Sequence, residues 1–352
     1  MVFLKNLRFV VANNYIVLSE LIHMKKVIVL LFLLFGLFTA YNDGVFDLSA
    51  DFITGSVIVD ELDPVEDIYF EILFCQVENC TQRFLELAEG SRMRCSFYDL
   101  DVQEIIDVMQ EKDPITIDNH NAKDVTALEF VSDGTAGLMH NKFCVINESL
   151  VWSGSTNPTF NGFNRNDNNV LIMGSEYLVQ NYLDEYYELL NGDFNGGDSV
   201  EYSRIDLPDG GYVKNAFCPE DDCREIVLDE LSKAEKSIYF MTFSFTDVGI
   251  AEVLIDKSDY IEVEGVMESK RFNQQYNVYR MLNGTNVTAI ADQNKYTMHH
   301  KVFIVDEDTV ITGSYNPTKS GDSRNDENLL VIKDDDVASR FLEEYSRVVN
   351  LV

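Results

Sequence analysis

One polar motif occurs twice in this chain, and the two copies align over 31 residues without an insertion. Residues 139–169 and 298–328 are identical at 15 positions, most of them polar. An internal repeat of this kind constrains the architecture before any local pattern does, because both copies are expected to fold alike. The repeat therefore predicts a duplicated fold with one polar motif in each half. The recurring side chains of catalytic type are His140, Lys142, Ser155 and Asn157 in the first copy and His299, Lys301, Ser314 and Asn316 in the second.

Strands and helices are predicted to alternate within each half. Residues 68–74 are rich in residues that favour strands, and residues 81–89 have the apolar spacing of a helix. This alternation is typical of a layered α/β fold. Each motif histidine is expected on a strand, at 139–146 and 298–305. The expected domains are a first half at 45–190, a glycine-rich linker at 191–211 and a second half at 212–352.

Residues 1–44 have the pattern of a targeting segment. Lys25 and Lys26 precede an apolar run from Val27 to Ala40, which is too short for a comfortable membrane span. We expect a signal peptide or a membrane anchor here, and Met24 is a second candidate for the start of translation. The body of the protein is therefore expected outside the cytoplasm, either secreted or tethered to the outer face of the cytoplasmic membrane.

The spacing of the cysteines agrees with an exported protein. Two pairs have the same C-x4-C spacing at equivalent places in the two halves. Exported chains favour disulfides, so we expect the bonds Cys75–Cys80 and Cys218–Cys223. A zinc site built from these four cysteines, and hence a zinc-dependent hydrolase, is the alternative. Cys95 and Cys144 lack counterparts in the second half and are either free thiols or a third bridge.

The charge balance is strongly acidic, with 60 acidic and 27 basic side chains and a formal net charge of −33. Such a surface repels polyanions, although a salty environment would screen that repulsion. No cluster of lysine and arginine like that of a nucleic-acid-binding stripe is visible. Positive charge confined to one cleft could still dominate there. The candidates for that charge are Lys142, Lys301, Arg165 and Arg324.

Each motif places an imidazole beside an ammonium group, because residues two apart on a strand project to the same face. Imidazole can act as nucleophile or general acid near neutral pH, and lysine supplies positive charge for a phosphate oxygen. Asn157 and Asn316 are expected to add amide donors, and Ser155 and Ser314 to aim hydroxyl groups at the same place. Two facing halves would place one histidine on each side of a single phosphate.

At these residues the chain resembles the phospholipase D superfamily, whose signature is H-x-K-x4-D-x6-G-S-x-N. The second copy fits completely, with Asp306 at the acidic position, whereas the first copy has Asn147 there. The resemblance implies a duplicated layered sandwich of mixed β-sheets flanked by helices, with two halves related by a pseudo-twofold axis. It also implies metal-independent cleavage of a phosphodiester through a phosphohistidine. No cofactor and no obligate protein partner are expected, since one monomer holds both motifs.

The family commonly has a glutamate downstream of each motif that orients the catalytic histidine. Glu327 matches this position in the second copy, whereas the first copy has Asn168. A carboxylate raises the pKa of an imidazole and fixes its tautomer. We therefore expect Glu327 to support His299 as the nucleophile, with His140 as the general acid. Because Asn147 and Asn168 both depart from the pattern, a degenerate protein that binds phosphodiesters without turnover is an alternative.

The phosphodiester is expected to be a nucleic acid. The second motif and the compact halves resemble the small exported nucleases of the superfamily, so the predicted function is an exported endonuclease on DNA or RNA. A phospholipase D or phosphatidyltransferase acting on phospholipids is the alternative, with Phe160 and Phe163 as candidate lipid-facing residues.

Overall fold

Two β-sheets, one from each half of the chain, form the centre of the computed structural model, which describes residues 63–351. The targeting segment predicted at 1–44 lies outside the described residues. The first sheet consists of β1 (Tyr69–Phe74), β2 (Met93–Phe97), β3 (Ile115–Ile117), β4 (Phe130–Ser132), β5 (Lys142–Ile146), β6 (Leu150–Gly154) and β7 (Asn169–Gly174). The second sheet consists of β8 (Arg204–Asp206), β9 (Tyr212–Cys218), β10 (Ser237–Thr242), β11 (Glu262–Met267), β12 (Thr288–Ala291), β13 (Lys301–Val305), β14 (Thr309–Gly313) and β15 (Glu327–Lys333).

The strand order is the same in both sheets. The first sheet runs β1-β7-β6-β5-β2-β3-β4, and the second runs β9-β15-β14-β13-β10-β11-β12, with β8 added beside β9. Each motif strand, β5 or β13, forms an antiparallel hairpin with the strand that follows it. The parallel pairs β2–β3 and β10–β11 are joined through helices, because parallel neighbours need a crossover connection. The duplicated α/β fold predicted from the repeat is confirmed.

Helices cover the outer faces of the sandwich and contribute to its centre. They are α1 (Cys80–Ala88), α2 (Gln103–Met109), α3 (Phe160–Asn164), α4 (Glu176–Asn191), α5 (Cys223–Ser232), α6 (Val248–Ser258), α7 (Ser269–Phe272), α8 (Tyr279–Leu282), α9 (Lys319–Ser323) and α10 (Asp335–Val349). Helices α4 and α10 pack in the core that both sheets share, around Phe143, Val302 and Phe341. Helices α1 and α2 bury Trp152 of the first sheet, and α5 and α6 bury Phe303 of the second. None of the helices within 63–351 is long and apolar enough to cross a membrane.

One sequence prediction about local structure is wrong, and a second region contains a strand that was not expected. The motif strands begin at Lys142 and Lys301, so both histidines lie in the segments that precede them. In those segments the backbone leaves its own sheet and bonds to the other half, through the bridges Met139–Asp326 and Asp167–Met298. The region 191–211, expected to be a linker, also contains β8, which pairs with β9 because Ile205 is buried in the central core.

Three disulfides join neighbouring elements. Cys75–Cys80 joins the end of β1 to α1, and Cys218–Cys223 joins β9 to α5 at the equivalent place. The third bridge, Cys95–Cys144, links directly opposed residues of β2 and β5. All six cysteines are thereby paired, so the zinc-site alternative is wrong.

Candidate active site

His140 is oriented by a carboxylate from the second half of the chain. Its Nδ1 atom lies 2.6 Å from Oε2 of Glu327, the first residue of β15. Ser314 donates its hydroxyl to the same oxygen at 2.6 Å, and Asn325 donates its side-chain amide to the other oxygen at 3.1 Å. Glu327 is completely buried, so its position is fixed on both oxygens. The expectation that Glu327 supports His299 is therefore wrong.

His299 is oriented by the first half of the chain, but by an amide. Its Nδ1 atom lies 2.9 Å from Oδ1 of Asn168, and Ser155 donates its hydroxyl to that oxygen at 3.0 Å. An amide oxygen can only accept, so this orientation of Asn168 leaves the proton of a neutral His299 on Nδ1. The two histidines thus have equivalent surroundings that differ in one respect, the charge of the partner.

The exchange of partners follows from backbone bonds between the halves. The amide of His140 donates to the carbonyl of Asp326 at 2.9 Å, and the amide of His299 donates to the carbonyl of Asp167 at 2.9 Å. Each histidine therefore lies against the polar tail of the other motif. The prediction was wrong because it paired each histidine with the residue downstream in its own motif, whereas the backbone bonds place it against the other motif.

The two motif lysines are buried beside the histidines. Lys301 places Nζ 3.1 Å from Nε2 of His299 and donates to the carbonyl of the same residue at 2.8 Å, while Lys142 donates to the carbonyl of His140. Burial lowers the pKa of Lys142 to about 7. The pKa of Lys301 is lowered well below its ordinary value, first by burial and then by the charge of Lys142. A bound anion would offset the repulsion between the two ammonium groups and stabilise their charged forms.

The pKa values of both histidines are also lowered, for the same main reason. Burial lowers the pKa of His140 to about 4, although Glu327 acts in the opposite direction. The pKa of His299 falls well below its ordinary value through burial and the nearby Lys301 and Lys142. Both imidazoles are therefore neutral at pH 7 in the free site, as a nitrogen nucleophile requires. A bound phosphate would raise both pKa values again.

Aromatic rings cover both imidazoles. Tyr98 packs against His140 with ring centroids 4.8 Å apart, and Phe243 packs against His299 at 4.5 Å. Both aromatic residues follow directly after a strand, β2 or β10, that neighbours the motif strand in its sheet. Sequence reasoning missed them, since nothing distinguished these two residues from the many aromatic residues of the strands.

Asp306 lies outside the site, contrary to the sequence prediction. Its carboxylate accepts hydrogen bonds from the backbone amides of residues 235–237, at 2.7–3.1 Å. Five residues along a strand separate it from Lys301, roughly 16 Å at about 3.3 Å per residue. Asn147 fills the same role in the first half, accepting from the amide of Arg92 at 2.9 Å. The replacement of aspartate by asparagine at this position therefore leaves the reacting centre unchanged.

The motif serines and asparagines have different surroundings. Ser155 and Ser314 are engaged with the partners of the histidines, so the expectation that their hydroxyl groups point at the phosphate is wrong. Asn157 and Asn316 each have a buried Oδ1 atom with no partner in the described part of the chain. An amide oxygen only accepts, so turning each amide by 180° would present its NH2 group at this place.

A glycine precedes each motif serine for a steric reason. Gly154 and Gly313 both have φ of +136°, a conformation that other residues rarely adopt. A Cβ atom on Gly313 would lie 2.3 Å from the carbonyl oxygen of Asn328, and one on Gly154 would lie 2.5 Å from that of Asn169. The glycines thus allow each serine to approach the strand that carries the partner of a histidine.

The remaining candidates lie apart from the reacting centre. His300 is buried and places Nε2 2.9 Å from Oε1 of Glu344, where the first half has Asn141 bonded to Glu185. Within 63–351 one group of carboxylates lies close enough together to hold a cation, and it includes neither motif histidine. Its members are Glu185, Glu188 and Glu220.

Two histidine–lysine pairs that face each other across two like halves define a centre for phosphodiester chemistry. The chain belongs to the phospholipase D superfamily, whose members act on phosphodiester substrates, because a family model described as "Cardiolipin synthase, PLD-like domain" matches residues 98–190 and 227–349. The matched regions include both histidine–lysine pairs and both serine–asparagine tails.

Several proteins of known name are similar to this chain. A phospholipase D from Rickettsia bellii is 27% identical over 178 residues, covering 49% of this chain and 89% of that protein. Human mitochondrial cardiolipin hydrolase is 38% identical over 78 residues, covering 20% of this chain and 31% of that protein. The phosphatidylserine synthase of Haemophilus influenzae superposes with a TM-score of 0.61 over 80% of this chain and 85% of that one, at 13% identity. The last comparison shows a shared fold alone.

Proposed function

We propose that this chain is a metal-independent phosphodiesterase that forms a phosphohistidine on His140, and that its substrate is a nucleic acid. The observation that carries the assignment is the hydrogen bond of 2.6 Å between His140 and the buried carboxylate of Glu327. A neutral imidazole that donates from Nδ1 to a carboxylate presents the lone pair of Nε2 to the phosphorus. His299, whose partner is the neutral Asn168, is then the general acid.

The reaction proceeds in two displacements. In the first, Nε2 of His140 forms a bond to phosphorus while the bond to the leaving oxygen breaks. His299, which takes up a proton on Nε2 when the bound phosphate raises its pKa, gives that proton to the leaving oxygen. In the second, water attacks phosphorus and gives a proton to His299, while the bond between phosphorus and His140 breaks. Lys142 and Lys301 would bind the non-bridging oxygens, whose charge increases in the transition state. Asn157 and Asn316, turned so that their NH2 groups replace the unpartnered Oδ1 atoms, would donate to the same phosphate.

Cationic side chains at the rim of the site support a polyanionic substrate. Arg165 comes two residues before Asp167, whose carbonyl accepts a hydrogen bond from the amide of His299. Arg324 comes two residues before Asp326, whose carbonyl accepts from the amide of His140. Neither arginine forms an ion pair with any residue in 63–351. In a protein with a net charge of −33, positive charge without an acidic partner is expected where an anion binds.

Phospholipid is the second candidate, and two observations favour it. Named relatives of this chain are a phospholipase D and a cardiolipin hydrolase. Phe160 is 53% exposed at the rim, where the Arg165 guanidinium lies 4.7 Å from its ring and 4.9 Å from that of Tyr296. We favour nucleic acid because a guanidinium covers both rings, whereas a surface for acyl chains would leave them free.

The three disulfides support a location outside the cytoplasm, since such bonds persist in oxidising compartments. We propose that the protein is exported, as residues 1–44 suggest. Thiol titration of protein recovered from its native source would test this, because six free thiols would contradict it.

The test of function compares three substrate classes in the presence of EDTA: bis(p-nitrophenyl) phosphate, plasmid DNA, and vesicles of phosphatidylcholine or cardiolipin. We expect cleavage of the first two to survive EDTA and to be lost in His140→Ala. Asp306→Asn is the matched control, because it alters a motif residue that lies outside the site. Cleavage of vesicles alone would replace nucleic acid by phospholipid as the substrate. Binding without turnover on any of them would establish the degenerate alternative.

A further inference from the structure

A guanidinium without a protein partner lies beside the second histidine. Arg271, in the short helix α7, is half-buried, and its guanidinium carbon lies 4.2 Å from the ring centroid of Phe243. That centroid lies 4.5 Å from the centroid of His299. Adding the two separations, 4.2 and 4.5 Å, gives an upper limit of 8.7 Å between the guanidinium carbon and the imidazole centroid. The charge is therefore one aromatic ring away from the reacting centre.

No protein acceptor within 63–351 satisfies this guanidinium by a side-chain hydrogen bond or an ion pair. The acid closest in sequence is Glu268, whose two oxygens accept from the backbone amides of Lys270 at 3.1 Å and Met298 at 2.8 Å. A guanidinium has five donors, and leaving them without acceptors at a half-buried place costs free energy. An anionic ligand would supply the missing acceptors.

The equivalent place in the first half carries a neutral amide instead. Tyr98 packs against His140 there, and the pKa of its hydroxyl is raised by burial and by the charges of Asp118, Asp99 and Glu327. Asp118 and Glu268 accept from the equivalent amides of Met139 and Met298, so Asn121 and Arg271, each three residues later, are equivalent. Asn121 donates its side-chain amide to the carbonyl of Tyr98 at 2.7 Å. A lysine lies over the aromatic ring in both halves, so the difference at this place is a guanidinium beside His299 and a neutral amide beside His140.

We propose that Arg271 binds a second phosphate of the substrate, the one next to the scissile phosphate on the leaving-group side. This inference rests on the proposed function, in which His299 protonates the leaving oxygen and so lies on that side. The subsite selects leaving groups that carry their own negative charge, as the next nucleotide of a polynucleotide does. It disfavours leaving groups that carry a cation, such as choline.

The experiment uses three thymidine dinucleotides: one without terminal phosphates, one with a 5′ phosphate and one with a 3′ phosphate. One of the two terminal phosphates lies on the leaving group, whichever ester bond breaks. We expect wild-type protein to cleave that substrate with a kcat/KM roughly ten- to a hundredfold above the unphosphorylated dinucleotide, the range for one charge-assisted hydrogen bond. Arg271→Gln should remove this preference. Arg280→Gln, an exposed arginine of α8 without a partner, should retain it.

Two results on dinucleotides would overturn the subsite: equal rates on all three substrates in wild-type protein, or an unchanged preference in Arg271→Gln. If no dinucleotide is cleaved, the nucleic-acid function fails, and the same variants are compared on cardiolipin and phosphatidylcholine vesicles. Cardiolipin carries a phosphate on its leaving group and phosphatidylcholine carries a cation. A preference for cardiolipin that Arg271→Gln alone removes would support the subsite with a lipid substrate. The subsite would be overturned if Arg271→Gln lost activity equally on both lipids, or if neither dinucleotides nor lipids were cleaved.

Discussion

The carboxylate of Glu327 should decide which histidine becomes phosphorylated, and replacing it by glutamine tests this directly. In the structure one of its oxygens lies 2.6 Å from His140 and accepts from Ser314, while the other accepts from Asn325 at 3.1 Å. A glutamine cannot serve all three neighbours. If its oxygen faces His140, its amide meets the amide of Asn325; if its amide faces His140, it meets the hydroxyl of Ser314.

The expected loss follows from these two orientations. With the oxygen towards His140, the tautomer is retained and one charge-assisted hydrogen bond weakens, which is worth about 1.5–3 kcal/mol or roughly ten- to a hundredfold in rate. With the amide towards His140, the imidazole must accept on Nδ1 and carry its proton on Nε2, where it cannot attack phosphorus. A carboxylate-to-amide change that enforces the wrong tautomer in the serine protease triad lowers kcat by about 10⁴. Phosphohistidine formation in Glu327→Gln should therefore slow by between about 10 and 10⁴-fold.

The assay is a single-turnover release of p-nitrophenol from bis(p-nitrophenyl) phosphate, followed by mass spectrometry of the acid-sensitive phosphopeptide. Asp306→Asn provides the matched control, since it also exchanges a carboxylate for an amide in the second motif but caps only backbone amides. Release from Glu327→Gln within threefold of the wild-type rate would refute the reasoning. Phosphate trapped on His299 in the wild-type protein would refute it as well.

Three further results are expected. The kcat/KM on bis(p-nitrophenyl) phosphate should fall as the pH rises through about 7, because burial lowers the pKa of Lys142 to about 7 and a neutral amine does not bind phosphate. In Lys142→Arg this decrease should occur at higher pH. The pKa of Asp326 is raised to about 8 by burial, so this group should destabilise the fold progressively as the pH rises from about 4 to about 8, and Asp326→Asn should flatten that part of the melting-temperature profile. Replacing Cys95 and Cys144 together by alanine should lower the free energy of unfolding in urea by about 4 kcal/mol, against about 2 kcal/mol for either short bridge, because their sequence separations are 49 and 5.

The architecture could be predicted from the sequence because two copies of one pattern are expected to form two similar sheets. Two stretches with the same pattern of strands and polar residues must bury the same faces, and the strand order of the two sheets is indeed the same. The two short disulfides could also be predicted, because each joins cysteines with a sequence separation of only 5, at equivalent places in the two halves. The third bridge required knowledge of strand pairing, because Cys95 and Cys144 meet only through the register of β2 with β5.

The partners of the histidines could not be predicted, because sequence separation does not tell which half a segment packs against. Asn168 and Glu327 each lie 28 residues after the histidine of their own motif, yet each contacts the histidine of the other. The decisive interactions are backbone hydrogen bonds between the halves, which carry no side-chain signature. Arg271 was missed for a related reason, since its position beside Phe243 depends on a segment that differs between the halves.

The exchange of partners gives the two asparagine replacements of the first half a new meaning. Within 63–351 the side chain of Asn147 bonds only to the amide of Arg92 and the hydroxyl of Ser91, so this replacement does not touch the histidines. Asn168 acts on His299, so the histidine of its own half keeps a carboxylate. As the nitrogen of His140 bonds to phosphorus, its imidazole becomes positively charged, and a carboxylate partner stabilises that charge. A neutral amide partner does not stabilise a charged His299, so its proton is released more easily. In the proposed mechanism, equivalent positions with different charges separate nucleophile from acid. The replacement that suggested a degenerate site in the sequence would then set the two roles.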